Sequence, residues 1–168
     1  SYDFNATCLR YFNAAGAHIS GEIGEDHDPE THLIPNIIRA ALTNKSNLKV
    51  FGDEYPTPDG TCVRDYVHTI DLAQAHLLGL DYMQKNNGFA AFNLGNSDGF
   101  SVLEVIKACE DIADREIHFQ VEGRRDGDPA RLVADNKLAL DRLNWKPEYC
   151  SISDIIKTAF SWHNSKKR

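Results

Sequence analysis

Apolar residues along this chain switch between short continuous runs and a helical period, and glycine-, asparagine- and aspartate-rich stretches separate them. The run from Asn5 to Phe12 reads as a buried strand that opens at once into the small residues Ala14-Ala15-Gly16-Ala17. A loop with Gly16, Gly21, Gly24 and Pro29 follows. From about Leu33 the spacing of Leu33, Ile34, Ile37, Ile38, Ala41 and Leu42 predicts a helix with one apolar face. Pro35 falls in its first turn, where a missing N–H does no harm. Leu48–Phe51, Val63–His68, Phe89–Leu94 and Ile117–Val121 read as further strands, with loops at 52–60, 95–100 and 122–129. Helices are predicted over about 71–83, with Thr69 as N-cap, after the Ser101/Glu104 capping box, briefly after Asp135, and after Ser151/Asp154. The order β-α-β-β-α-β-α-β-α-α defines an α/β protein.

Composition bounds the picture. The chain has 168 residues, 42% hydrophobic and 26% charged, which suits one globular domain. A net charge of −7 argues against a nucleic-acid surface, since phosphate polymers need a basic face. No apolar run approaches the ~18 residues of a membrane span. The basic end Lys166-Lys167-Arg168 reads as a solvated helix end. The four cysteines form no CxxC pair. Cys8 and Cys109 are expected to be buried thiols, which fits a cytoplasmic location. There is no G-x-G-x-x-G, and none of the seven histidines stands in a metal spacing such as HExxH, so no metal is expected.

Four loops carry candidate chemistry. Asn13 either donates an amide N–H to a phosphate or caps a turn. Thr31-His32-Leu33 puts backbone N–H groups at a helix start, an anion site, unless His32 is merely a loop residue. Arg64 sits among Val63, Tyr66 and Val67, so its charge is either paired, with Asp65 or Asp71, or held by an anionic ligand. By strand alternation Arg64, Tyr66 and His68 share a face. In Gly123-Arg124-Arg125-Asp126-Gly127-Asp128-Pro129, an arginine fork can clamp phosphate and an aspartate can accept from ribose hydroxyls. The alternative is a self-neutralising turn. No nucleophile–base arrangement stands out, so no catalytic residue is assigned.

Together these segments resemble one family. Leu9-Arg10-Tyr11-Phe12-Asn13-Ala14-Ala15-Gly16-Ala17, Glu30-Thr31-His32-Leu33-Ile34-Pro35, Val50 to Thr61, Val63 to His68, Asn93-Leu94-Gly95 and Arg124 to Ala130 follow the order and spacing of UDP-glucose 4-epimerases, extended members of the short-chain dehydrogenase/reductase superfamily. The resemblance covers essentially the whole chain. It is most specific in Phe51-Gly52-Asp53-Glu54-Tyr55-Pro56-Thr57-Pro58-Asp59-Gly60-Thr61, which related dehydratases and decarboxylases do not usually carry in full.

The resemblance implies the C-terminal part of an extended Rossmann-type reductase. Residues 1–12 would be the last-strand remnant of the parallel dinucleotide-binding sheet, and 13–168 the UDP-sugar-binding portion. It implies contacts from Asn13, His32 and Leu33 near the diphosphate, Lys49, Val50 and Phe51 at uracil, a clamp of Arg64 and Arg125, Asp128 on ribose, and Leu132 where the family limits sugar size. Tyr11 would lie beside the nicotinamide of NAD. The implied reaction interconverts the C4 epimers of a UDP-hexose by hydride removal and return through a 4-keto sugar, in a parent enzyme that is a homodimer. The family's glycine-rich loop and Tyr-x-x-x-Lys pair are not in this sequence, so the chain alone is expected to be inactive, and its first strand to expose edge and apolar surface. The alternatives are a free-standing UDP-sugar binder or a piece of a related dehydratase or decarboxylase.

Overall fold

The computed structural model describes residues 4–43 and 47–165. In chain order its elements are β1 (Ala6–Arg10), β2 (Asn13–Ala15), α1 (Leu33–Thr43), β3 (Lys49–Phe51), β4 (Val63–Arg64), β5 (Tyr66–His68), α2 (Thr69–Lys85), β6 (Phe89–Asn93), β7 (Phe100–Ser101), α3 (Val102–Ala113), β8 (Gln120–Glu122), β9 (Arg131–Leu132), α4 (Lys137–Leu143) and α5 (Ile152–Ser165). The tail Lys166-Lys167-Arg168 and residues 1–3 lie outside the described residues.

The expected first strand is shorter and continues as a second. β1 pairs in parallel with β6, from Ala6 opposite Phe89 to Arg10 opposite Asn93. A bend at Phe12 then hands the chain to a different partner, and β2 runs parallel to β5, Asn13 opposite Tyr66. β3 pairs with β8 in parallel. β4 lies between antiparallel β7 and parallel β9. The two-residue strands β7 and β9 carry too few residues to show a period of two. The strand expected at 117–121 shifts to 120–122, because Ile117 instead drops into the core.

The single strand expected over Val63–His68 is broken at Asp65, whose side chain is wholly buried. Asp65 Oδ1 accepts from the Asn96 N–H at 2.7 Å and Oδ2 from the Ala134 N–H at 3.0 Å. The Asp65 carbonyl meanwhile accepts from the Asn13 side chain instead of from a neighbouring strand. Arg64 and Tyr66 nevertheless border the same cavity, whereas His68 goes elsewhere.

Two cores result. In the larger, α1, α3 and α5 pack around Ile37, Ile38, Val105, Ile155 and Ile156. The second joins β6 and α2 to α4 through Phe92, Leu94, Ala139 and Trp145. α3 begins with the expected capping box: Ser101 Oγ accepts from the Glu104 N–H and Glu104 accepts from the Ser101 N–H. Ser151 likewise caps α5 by accepting from the Asp154 N–H. The cap of α2 is His68 rather than Thr69, its Nδ1 accepting from the Ile70 N–H at 3.1 Å.

Cys109 is buried as expected, but Cys8 is exposed. Thr7 and Leu9 point to α2, which comes close at Gly79, so Cys8 and Arg10 occupy the other face of β1, which no described element covers. Near that strand pair Phe4 and Phe89 stand 76% and 73% exposed, the apolar surface expected there.

Candidate functional site

The bend at Phe12 and the starts of α1, β3 and β4 enclose a cavity of about 590 Å³. Its lining includes Asn13, His32, Leu33, Lys49, Val50, Phe51, Arg64, Arg125 and Asp128, nine of the eleven residues singled out from the sequence. These residues reach the cavity from five separate segments. Tyr66 and Cys62 add to its floor. Leu132 does not reach it: it is half-buried on β9, in register with Arg64. Tyr11 borders a second cavity of about 660 Å³, more apolar, with Phe12, Ile23, Ile34, Ile70 and Trp162. Asn13, His32, Leu33 and Tyr66 belong to both linings.

The polar cavity is cationic at specific points. Arg64 is paired with Asp128 at 3.0 Å, and neither Asp65 nor Asp71 is its partner. The guanidinium also donates to the Val63 and Pro129 carbonyls, at 2.8 and 2.9 Å. Asp71 is occupied instead by the backbone N–H groups of Glu148 and Tyr149. Arg64 is therefore held in one orientation on the cavity wall. Arg125 lies over the Phe51 ring, 3.8 Å from its centroid, and Arg124 lies over Tyr55 at 3.9 Å. Neighbours in sequence thus go to different aromatic rings, and of the two only Arg125 lines the cavity. Lys49 pairs with Glu122 at 2.9 Å. Asn13 spends one amide hydrogen on the Asp65 carbonyl, at 2.7 Å, and keeps the other. Burial pushes the Cys62 thiol up against the opposing pull of Arg64, which favours its protonated form.

The most specific sequence segment, Phe51–Thr61, supports the cavity wall. The Tyr55 N–H donates to the Gly60 carbonyl, and Thr61 gives both its N–H and its hydroxyl to Asp59 Oδ1. Asp59 Oδ2 accepts a short hydrogen bond from Ser101 Oγ, latching the loop to the cap of α3. Burial raises the Asp59 carboxyl, but the bonds from Ser101 and Thr61 outweigh it and hold its pKa below the usual carboxylate value. Gly60 has φ +80°, and a Cβ there would stand 2.0 Å from the Asp53 carbonyl oxygen, so only glycine closes this turn.

His68 is a structural group. Its ring stacks on Tyr149 at 3.9 Å, and because Nδ1 accepts from Ile70, Nε2 carries the proton and donates to Thr158 Oγ1 at 2.9 Å. Burial lowers its pKa, against the opposing charge of Asp71. The folded protein thus binds fewer protons here than the unfolded chain. This contribution to stability is complete above about pH 6.5 and is lost as the pH falls from there toward the lowered folded pKa. Denaturant stability should therefore fall as the pH drops below about 6.5, with the His68 ring resonance titrating below that ordinary value. A resonance titrating at or above that value contradicts a neutral, buried His68.

One cluster was not legible. Glu25, His27, Glu30 and His32 each bring a ligand-type atom within 4.8 Å of the others. Their spacing matches no familiar metal motif, and only the fold of the loop before α1 brings them together. No helix among the described residues is long and apolar enough to cross a membrane.

The strand pairs and the loops between them thus set Lys49, Arg64 and Arg125 around one cavity. The sequence profile of the NAD dependent epimerase/dehydratase family matches residues 1–95, and the chain belongs to that family. It is 48% identical over 165 residues to the UDP-glucose 4-epimerase of Lacticaseibacillus casei, covering 98% of this chain and 50% of that protein. It superimposes on a crystal structure of a UDP-glucose 4-epimerase with a TM-score of 0.92 at 47% identity, covering 96% of this chain and 49% of the other. The Bifidobacterium longum UDP-glucose 4-epimerase in complex with NAD+ and UDP gives a TM-score of 0.91 at 40% identity, covering 98% and 49%. The chain spans about half the length of the curated relatives it matches. These relatives do not favour a dehydratase or decarboxylase.

Proposed function

We propose that this chain is the UDP-sugar-binding part of a UDP-glucose 4-epimerase, with residues 1–12 belonging to the dinucleotide-binding portion and 13–168 to the substrate portion. The observation that carries the reading is the convergence of Asn13, His32, Lys49, Arg64, Arg125 and Asp128 on one 590 Å³ cavity. In this reading Arg64 and Arg125 grip the diphosphate and Asn13 adds its free amide hydrogen. Phe51 and Val50 flank uracil, and Asp128 accepts from ribose hydroxyls. Leu132 stands beside Arg64 on the neighbouring strand, outside both cavities, so a role in sugar size rests on the family resemblance alone. The apolar cavity beside Tyr11 suits a planar nicotinamide ring on one side and a hexose on the other. When bound, NAD would supply hydride acceptance and return at sugar C4. This chain's residues anchor the UDP, so that the hexose can present either face. A strong hold on the non-reacting nucleotide is what lets a loosely held sugar turn without being lost.

The sequence contains no Tyr-x-x-x-Lys, so turnover is assigned to the chain joined to a matching N-terminal portion. The same reading makes the parent enzyme a cytoplasmic homodimer that acts on a small nucleotide sugar, not on nucleic acid. The four free thiols fit a cytoplasmic location, and the charge of −7 fits a small nucleotide sugar rather than nucleic acid. The test is to combine this chain with the N-terminal portion, NAD and UDP-galactose. Formation of UDP-glucose is expected, and none from the chain by itself. Folded partners that bind each other yet give no UDP-glucose would defeat the proposal.

A further inference from the structure

We propose that Glu25, His27, Glu30 and His32 form a site for a single zinc-type divalent ion. The argument does not depend on the sugar-nucleotide reading. His27 Nδ1 lies 3.2 Å from His32 Nδ1 and 3.2 Å from Glu25 Oε1, and His32 Nδ1 lies 3.5 Å from Glu30 Oε1. His32 Nδ1 also makes a short contact with Glu25 Oε1. Ligands about 2.0–2.2 Å from a tetrahedral zinc are separated from one another by roughly 3.3–3.6 Å. The His27–His32, His27–Glu25 and His32–Glu30 separations are close to those edges, and the His32–Glu25 contact is shorter than them.

Proton counting points the same way. An imidazole nitrogen carries at most one hydrogen, yet His32 Nδ1 has three polar neighbours: another imidazole nitrogen and two carboxylate oxygens. One N–H cannot serve all three, whereas one cation serves every member of the set. The second, independent observation is Glu30. Its side chain is 0% exposed; Oε1 accepts from the Thr31 and His32 N–H groups at 2.7 Å each, and Oε2 is buried with no hydrogen-bond partner. Oε1 is the oxygen that stands beside His32, and a shielded carboxylate whose other oxygen is orphaned is stabilised by a cation next to it. Two carboxylates and two neutral imidazoles neutralise a divalent ion, and this nitrogen–oxygen set suits zinc.

The loop that holds the cluster is anchored from both sides. Trp162 Nε1 on α5 donates to the Glu25 carbonyl at 2.8 Å, and Arg39 on α1 donates to the His27 carbonyl at 3.3 Å. Gly24 is needed beneath the indole, where a Cβ would meet Trp162 at 2.4 Å. The ion would tie this loop to the start of α1 and fix His32, which faces both cavities.

The test is a titration of the chelator-treated chain with Zn²⁺, read by calorimetry and by competition with a chromogenic chelator, and repeated with Co²⁺ for its visible spectrum. One ion per chain, a rise in thermal midpoint and intense tetrahedral-type Co²⁺ bands are expected. Glu30→Gln and His27→Ala should each weaken binding by about 100-fold or more, since even outer-shell partners are worth 10–100-fold. His118→Ala, at an exposed histidine elsewhere, should leave binding unchanged. Because the His27 side chain is 53% exposed, its removal does not threaten folding. Undiminished affinity in His27→Ala, or no binding by the unaltered chain, overturns the proposal.

Discussion

Arg125→Ala is expected to weaken UDP binding by roughly tenfold or more, while Arg124→Ala leaves it nearly unchanged. Adjacent arginines in an exposed turn would ordinarily be interchangeable in a charge argument. Here they are sorted by the rings beneath them. Arg125 lies over Phe51 and lines the polar cavity; Arg124 lies over Tyr55 and does not. A charge-assisted bond from guanidinium to phosphate contributes about 1.5–3 kcal/mol, which sets the size of the effect. Stacking on Phe51 limits the rotamers that binding must freeze, so alanine also loses this preorganisation. Arg64 is a poorer probe, because it also holds Asp128 and the Val63 and Pro129 carbonyls, and its removal would disturb the turn itself. Calorimetric titration of UDP into the two variants decides the matter. Equal losses at 124 and 125 would mean that only the general positive charge of the turn matters.

Asp65→Ala is expected to cost about 3 kcal/mol or more of folding stability. The carboxylate is 0% exposed and both its oxygens are used, one by the loop after β6 and one by the segment after β9. Burial raises its pKa, against the bonds from Ala134 and Asn96. The loss in the variant comes less from the missing charge than from two backbone N–H groups left without acceptors, at about 1–3 kcal/mol each. Urea unfolding of the variant measures this directly. A loss below about 1 kcal/mol would show that those donors find other partners. The same carboxylate explains Gly95, where a Cβ would stand 2.2 Å from Asp65 Oδ2.

Much of the frame was readable because local signals agreed with the tertiary outcome. The α1 face of Leu33, Ile34, Ile37, Ile38 and Ala41, the Ser101/Glu104 box and the Ser151 cap all form as their spacing predicts. The failures have a common cause, which is long-range pairing. Arg64 finds Asp128, sixty-four positions away, rather than its sequence neighbour Asp65. The strand breaks at Asp65, whose carbonyl is taken by the Asn13 side chain and whose carboxylate serves donors at 96 and 134. Cys8 looked buried because its run is apolar, but α2 covers the opposite face of β1. The polar cavity was legible as loop residues with the right chemistry, although nothing in the sequence alone placed the 49–51 segment against Arg125. The Glu25–His32 cluster is local instead: it was missed because its spacing is not HExxH-like and only the conformation of the loop gathers the four side chains.

Asn13, His32, Leu33 and Tyr66 line both cavities, so the two compartments have a common partition. Any mutation in that partition is read twice, once by whatever fills the polar side and once by whatever fills the apolar side. A substitution at a residue of one compartment only, such as Lys49 or Arg125 on one side or Ile23 or Trp162 on the other, changes one lining and leaves the other as it was. The partition itself is left as the part of the molecule with the fewest ways to change.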